Sequence, residues 1–191
     1  NTAPSVAPSA TPATVCSGVS STIAANVTGG TAPLTYVWNA GSGASHSAAP
    51  ATTTTYNVTV TDANTCTASG TVTLNVNALP TANAGPDQAR VNCVGDSAQI
   101  GTASVAGHTY SWSPATGLSA ANVAMPWAKP AATTTYIMTI THTATGCTRT
   151  DDVIVTVNTT SLAANAGSAI TVCQVAPTVT LGGSPTATGG T

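Results

Sequence analysis

The strongest constraint on this chain is that it repeats itself. Thr53-Thr54-Thr55-Tyr56-Asn57-Val58-Thr59-Val60-Thr61 returns as Thr133-Thr134-Thr135-Tyr136-Ile137-Met138-Thr139-Ile140-Thr141. Tyr36-Val37-Trp38 returns as Tyr110-Ser111-Trp112, and Val72-Thr73-Leu74-Asn75-Val76-Asn77 as Val153-Ile154-Val155-Thr156-Val157-Asn158. Cys16 and Cys66 have counterparts in Cys93 and Cys147. A third copy opens with Ala164-Asn165-Ala166-Gly167, matching Ala82-Asn83-Ala84-Gly85, and continues to Cys173. Anchors that recur in a fixed order mark a tandem array. The spacing predicts one repeat over residues 1–79, a second over 80–160, and the start of an incomplete third over 161–191. Thr188-Gly189-Gly190-Thr191 matches Thr28-Gly29-Gly30-Thr31, which in the first copy leads into the Tyr-x-Trp strand. The chain therefore reads as a piece of a longer polypeptide, or as one whose third repeat a neighbouring molecule completes.

Inside each repeat the apolar period is two. Tyr56, Val58 and Val60 fall on one face of a strand, as do Tyr136, Met138 and Ile140, while Thr and Asn fill most of the other face. Val72, Leu74 and Val76 alternate likewise, and so do Val153, Val155 and Val157. Tyr36 with Trp38, and Tyr110 with Trp112, put two aromatics on one side of what reads as a central strand. Gly29-Gly30 before Pro33, Asp62-Ala63-Asn64, and Ser113-Pro114 before Gly117 supply the turns. Composition agrees: Thr alone fills 39 of 191 positions, and Glu, a strong helix former, is absent. The expectation is an all-β protein built as one small antiparallel sandwich per repeat.

The string Tyr110-Ser111-Trp112-Ser113-Pro114-Ala115-Thr116-Gly117-Leu118-Ser119, followed by Thr133-Thr134-Thr135-Tyr136 and Gly146-Cys147, resembles the PKD-like and immunoglobulin-like tandem repeats of Bacteroidetes surface proteins. The resemblance spans essentially the whole chain and implies tandem immunoglobulin-like β-sandwiches. The families it points to include cell-surface adhesins, gliding-motility adhesins and large secreted repeat proteins. The first repeat departs from the pattern, with Asn39-Ala40-Gly41-Ser42-Gly43 where the second has Ser113-Pro114-Ala115-Thr116-Gly117.

Five cysteines fall as two pairs with one left over, and no C-x-x-C pattern suggests zinc or redox chemistry. The repeat predicts disulfides Cys16–Cys66 and Cys93–Cys147, each inside one repeat, with the partner of Cys173 outside the chain. Either bridge would contribute about 4 kcal/mol in the chain-entropy model, and force on the chain ends would meet it before the enclosed strands unravelled. Disulfides place the protein outside the cytoplasm, in an extracellular or cell-surface setting.

Catalytic, cofactor-binding and metal residues are not expected. His46, His108 and His142 stand singly in sequence, with no ligand spacing between them. No Gly-x-Ser-x-Gly elbow accompanies the many serines, and Asp151 and Asp152 on an alternating strand would point to opposite faces. Calcium is the weighed alternative, through Asp62, Asn64 and Asp87, yet that ion wants six to eight oxygens, usually several carboxylates. Trp127 has no counterpart in the first repeat and is the candidate ligand or packing contact. Ser97, in Asp96-Ser97-Ala98, fits a short bacterial O-glycosylation signal, while Asn26, Asn57 and Asn158 fit the eukaryotic sequon.

Charge excludes whole classes of partner. Three cations and five acids leave a net charge of −2 over 191 residues, so no basic patch exists to neutralise phosphates, and nucleic-acid binding is excluded. No apolar run reaches the ~18 residues of a membrane helix, so membrane insertion is not expected. So uncharged a surface has little repulsion to hold copies apart. The leading reading is a non-enzymatic extracellular structural protein whose modules build a filament, stalk or surface layer. Its partners would be copies of itself or further repeats of the same polypeptide. The alternatives are a cell-surface adhesin binding carbohydrate or a solid surface, and accessory repeats of a secreted enzyme.

Overall fold

The computed structural model describes residues 2–91 and 97–158. Cys93, Asp96, Cys173 and the third repeat lie outside the described residues. No helix occurs among the described residues; every regular element is a strand. The N-terminal set comprises β1 (Ser5–Val6), β2 (Ser9–Thr11), β3 (Thr14–Cys16), β4 (Ser21–Ala24), β5 (Val27–Thr28), β6 (Thr35–Trp38), β7 (Ser45–Ala48), β8 (Thr54–Thr61) and β9 (Thr67–Asn77). The C-terminal set comprises β10 (Gln88–Val91), β11 (Ala98–Gln99), β12 (His108–Ser113), β13 (Trp127–Ala128), β14 (Thr134–His142) and β15 (Thr148–Asn158).

Each set builds its own sandwich. In the first, a sheet of order β3-β9-β8-β6 faces one of order β2-β4-β7, with β1 and β5 paired beside them. In the second, β10-β15-β14-β12 faces the short pair β11-β13. Side chains from both layers meet in one buried cluster per sandwich. Val15, Ile23, Trp38, Tyr56, Val58, Val60 and Leu74 form the first. Ala98, Ile100, Trp112, Ala128, Tyr136, Met138, Val153 and Val155 form the second. The alternating rows read from the sequence are therefore the inward faces of β8, β9, β14 and β15. Each Trp keeps its indole N–H satisfied while buried: Trp38 donates to the Gly43 carbonyl and Trp112 to that of Val123, both at 2.9 Å.

Two details differ from expectation. β6 and β12, which carry the Tyr-x-Trp pairs, are edge strands of their sheets, not central ones. They pair only with β8 and β14, and β3 and β10 take the opposite edges. Those two strands also make the sandwiches not purely antiparallel: β3 runs parallel to β9, and β10 parallel to β15. In the first sandwich the chain crosses between layers from β2 to β3 through Pro12, whose carbonyl accepts the buried Ser21 hydroxyl at 2.8 Å. Both units are immunoglobulin-like β-sandwiches.

The outward face explains the threonines. β8 and β9 place Thr55 opposite Thr73 and Thr59 opposite Ser69, and those hydroxyls bond at 3.0 and 2.9 Å. Cross-strand hydroxyl pairs of this kind stabilise a sheet without any charge.

The disulfide pattern overturns the predicted one. Cys16 bonds to Cys147, with Cα atoms 5.6 Å apart and a sequence separation of 131. Neither Cys16–Cys66 nor Cys93–Cys147 is formed, and Cys66 is free and exposed. The physical reason is strand length. Cys16 lies opposite Asn77 at the far end of β9, whereas Cys66 precedes Thr67 at its start. Eleven residues at ~3.3 Å each separate them by about 35 Å, against a Cα limit near 7 Å for a bridge. The bond instead ties the end of the first sandwich to the β14–β15 turn of the second. In the chain-entropy model a loop this long contributes about 5 kcal/mol.

Trypsin distinguishes the two patterns. Cleavage after Arg90 and Arg149, with Lys129 shielded by Pro130, separates residues 1–90 from 91–149. Without reductant these two peptides migrate as one covalent species in mass spectrometry, and reductant parts them. A second test concerns the β8–β9 turn, where Thr65 has φ 65°, a region costly for a β-branched residue. The equivalent residue before Cys147 is Gly146, at φ 70°. Thr65→Gly should raise stability by roughly 0.5–1 kcal/mol in a denaturant titration.

Candidate functional site

The chemistry-bearing side chains collect at the corners where the long hairpins turn. In the first sandwich Asp62 closes the β8–β9 turn and is 5% exposed. Its Oδ1 accepts the backbone N–H groups of Asn64 and Cys66 at 2.9 and 2.8 Å, and its Oδ2 accepts that of Thr31 at 3.0 Å. These bonds, Thr31's first, hold the Asp62 carboxyl below its ordinary value of 3.8 against the opposing effect of burial. Its lone pairs are committed to the turn, so Asp62 is a capping group.

Two of the other acids likewise bond to backbone. Asp151 Oδ2 accepts the Ala84 N–H at 2.7 Å, and Asp87 Oδ1 accepts the Ile154 N–H at 2.8 Å. Both fasten the segment entering the second sandwich onto β15. Asp152 is exposed on the same strand. Among the described residues no group of three or more His, Cys, Asp or Glu is arranged to hold a metal ion.

The histidines have separate surroundings. His46 packs edge-on against Trp38 and Tyr56, with ring centroids 5.0 and 5.8 Å away, and neither ring nitrogen finds a partner. It serves as a core aromatic over the strand β7. His108 and His142, single in sequence, are brought together: they face each other across β12 and β14 with ring centroids 5.0 Å apart. Nothing in their sequence spacing marks the pair, because 33 residues of loop and strand intervene and only the β12–β14 register aligns them.

Beside His108 lies a shallow groove of about 490 Å³, lined by Ser104, Tyr110, Asn122, Val123 and Met125 among others. Val123 and Met125 are exposed at its rim, and the Tyr110 hydroxyl accepts the Val105 N–H at 2.8 Å. Trp127 is 51% exposed on β13, opposite Gln99, with its backbone N–H donated to the Ser119 hydroxyl. Its side chain faces solvent while the strand beneath it is fixed. Ser97 is half-buried just before β11. The loop between β12 and β13 is anchored from below, where buried Tyr136 donates its hydroxyl to the Thr116 carbonyl at 2.9 Å.

No protein-family model matches the chain, and no curated protein resembles it in sequence. Comparison with solved structures finds similarities at low identity and low TM-score. The three N-terminal domains of the highly immunogenic outer capsid protein Hoc of bacteriophage RB49 are 17% identical, with TM-score 0.40, over 81% of this chain and 59% of that one. The N-terminal eight immunoglobulin domains of Down syndrome cell adhesion molecule are 13% identical, with TM-score 0.40, over 82% of this chain and 25% of that one. A carbohydrate-binding module of the β-sandwich superfamily is 18% identical, with TM-score 0.36, over 73% of this chain and 55% of that one. The chain thus spans less than two thirds of each.

The Asp62 turn carries a pH prediction. A carboxyl whose folded value lies below its unfolded one contributes stability above the unfolded value, lost as pH falls through the folded one. Asp62→Asn should therefore lower Tm at pH 7. The gap to the unsubstituted chain should narrow as pH falls below 3.8, measured by thermal melts across pH 2–7.

Proposed function

We propose that this chain is a non-enzymatic structural segment of an extracellular repeat protein, its modules building a filament, stalk or surface layer. The observation that carries the proposal is the Cys16–Cys147 bond, which ties one sandwich covalently to the next. A disulfide belongs to an oxidising compartment, and a tie between modules serves a chain that must hold its shape under load. Three cations and five acids on 191 residues leave little repulsion between neighbouring copies. The partners are then copies of the chain or further repeats of one polypeptide, of the kind the PKD-like surface arrays of Bacteroidetes present.

The repeat extends the pattern. Cys66 occupies in the first sandwich the turn position that Cys147 occupies in the second. Repeating the observed connection would hand Cys66 to a preceding module and Cys93 to a following one.

A second reading has its own observation. Two separate features support a carbohydrate-binding adhesin as the alternative: a groove lined in part by Tyr110, and Trp127 half-exposed on β13, an aromatic of the type sugars stack on. Electron microscopy of material isolated from its source separates the two. Regular filaments with an axial repeat commensurate with the modules support the structural role. Dispersed molecules projecting singly from cells overturn it, and loss of glycan binding on Trp127→Ala would then support adhesion.

A further inference from the structure

We infer that His108 and His142 form a two-point binding site for a late first-row divalent metal ion such as nickel, copper or zinc. The two residues are directly opposed in the β12–β14 register. The Thr143 N–H donates to the Gly107 carbonyl beside them, and the His142 N–H turns away to Cys147. His108 and His142 are thus a non-hydrogen-bonded pair, the closest arrangement an antiparallel sheet offers, with both side chains on one face.

The ring nitrogens are already sorted. His108 Nδ1 lies 3.0 Å from the Ala106 carbonyl oxygen, which can only accept. Nδ1 therefore carries the proton, and the lone pair of the neutral ring sits on Nε2. His142 Nδ1 lies 3.0 Å from the Thr145 hydroxyl, which in turn accepts the Cys147 N–H at 3.4 Å. An imidazole held through one nitrogen by a backbone or side-chain oxygen, with the other free, is the outer-shell pattern of metal-ligating histidine. Both residues are half-buried, so solvent reaches the pair.

Distance permits chelation. At ~2.0–2.1 Å per metal–nitrogen bond, both Nε2 atoms must come within about 4 Å of one another. The ring centroids lie 5.0 Å apart, so small side-chain shifts that keep both Nδ1 contacts are what the site requires to close on one ion. Imidazole suits zinc, copper and nickel, and the remaining positions would be filled by water or by oxygen from a neighbouring molecule. The first sandwich supplies an internal contrast: its matching corner carries Leu34 and Asp62, and Asp62 is spent on the turn.

The test uses the disulfide-bonded chain carrying Cys66→Ser, so that the exposed thiol does not compete, with nickel(II) chloride as the probe. Substoichiometric nickel is expected to broaden the ring-proton NMR signals of His108 and His142 selectively and to spare those of His46. His108→Leu and His142→Asp install the residues of the first sandwich and so preserve a corner compatible with the fold. Each should weaken nickel binding by about tenfold or more in calorimetry, and His108→Leu should abolish the broadening at His142. Broadening equal at all three histidines, no broadening, or unchanged affinity in both variants would overturn the site.

Discussion

Everything in this molecule depends on burying one row of large side chains per sandwich between two thin sheets. Tyr56, Val58 and Val60 on β8, and Tyr136, Met138 and Ile140 on β14, are almost wholly removed from water. Each row lies on a strand flanked by two partners, so register errors of one residue would turn the whole row outward. With four Tyr, three Trp and no Phe in the chain, the aromatic share of each core is small. Trp38 and Trp112 add to Tyr56 and Tyr136 from the edge strands, where the indole also pins a loop through its N–H.

The same economy governs the surface. Where many sheets carry charged side chains on their solvent face, this chain places hydroxyls that bond across the inner strands β8 and β9. The few acids are assigned to backbone N–H groups: Asp62 to a turn, Asp87 and Asp151 to the entry of the second sandwich. Charge therefore does local structural work, leaving a weak field that tolerates close neighbours.

The covalent tie changes the mechanics that intramodular bridges would have given. With Cys16 joined to Cys147, a load on the chain ends passes through sulfur and bypasses residues 17–146, which hold most of both cores, though not Val15, Val153 and Val155. Bridges inside each module would have left the connection between modules free to extend. The observed bond fixes that connection.

The sequence by itself determined the repeat, the all-β class and the identity of the buried rows, because period-two alternation and turn residues are local properties that survive without knowledge of partners. Tertiary structure alone decided the cysteine pairing. Cysteines at 16 and 66, each with a counterpart in the second repeat, suggest a bridge within a repeat, but an eleven-residue strand carries them to opposite poles, and the partner within reach belongs to the next sandwich. It also decided that the Tyr-x-Trp strands lie at sheet edges, and that His108 and His142 meet. Neither is written in spacing, since both follow from which strands pair and in which register, a choice made by the packing of whole sheets.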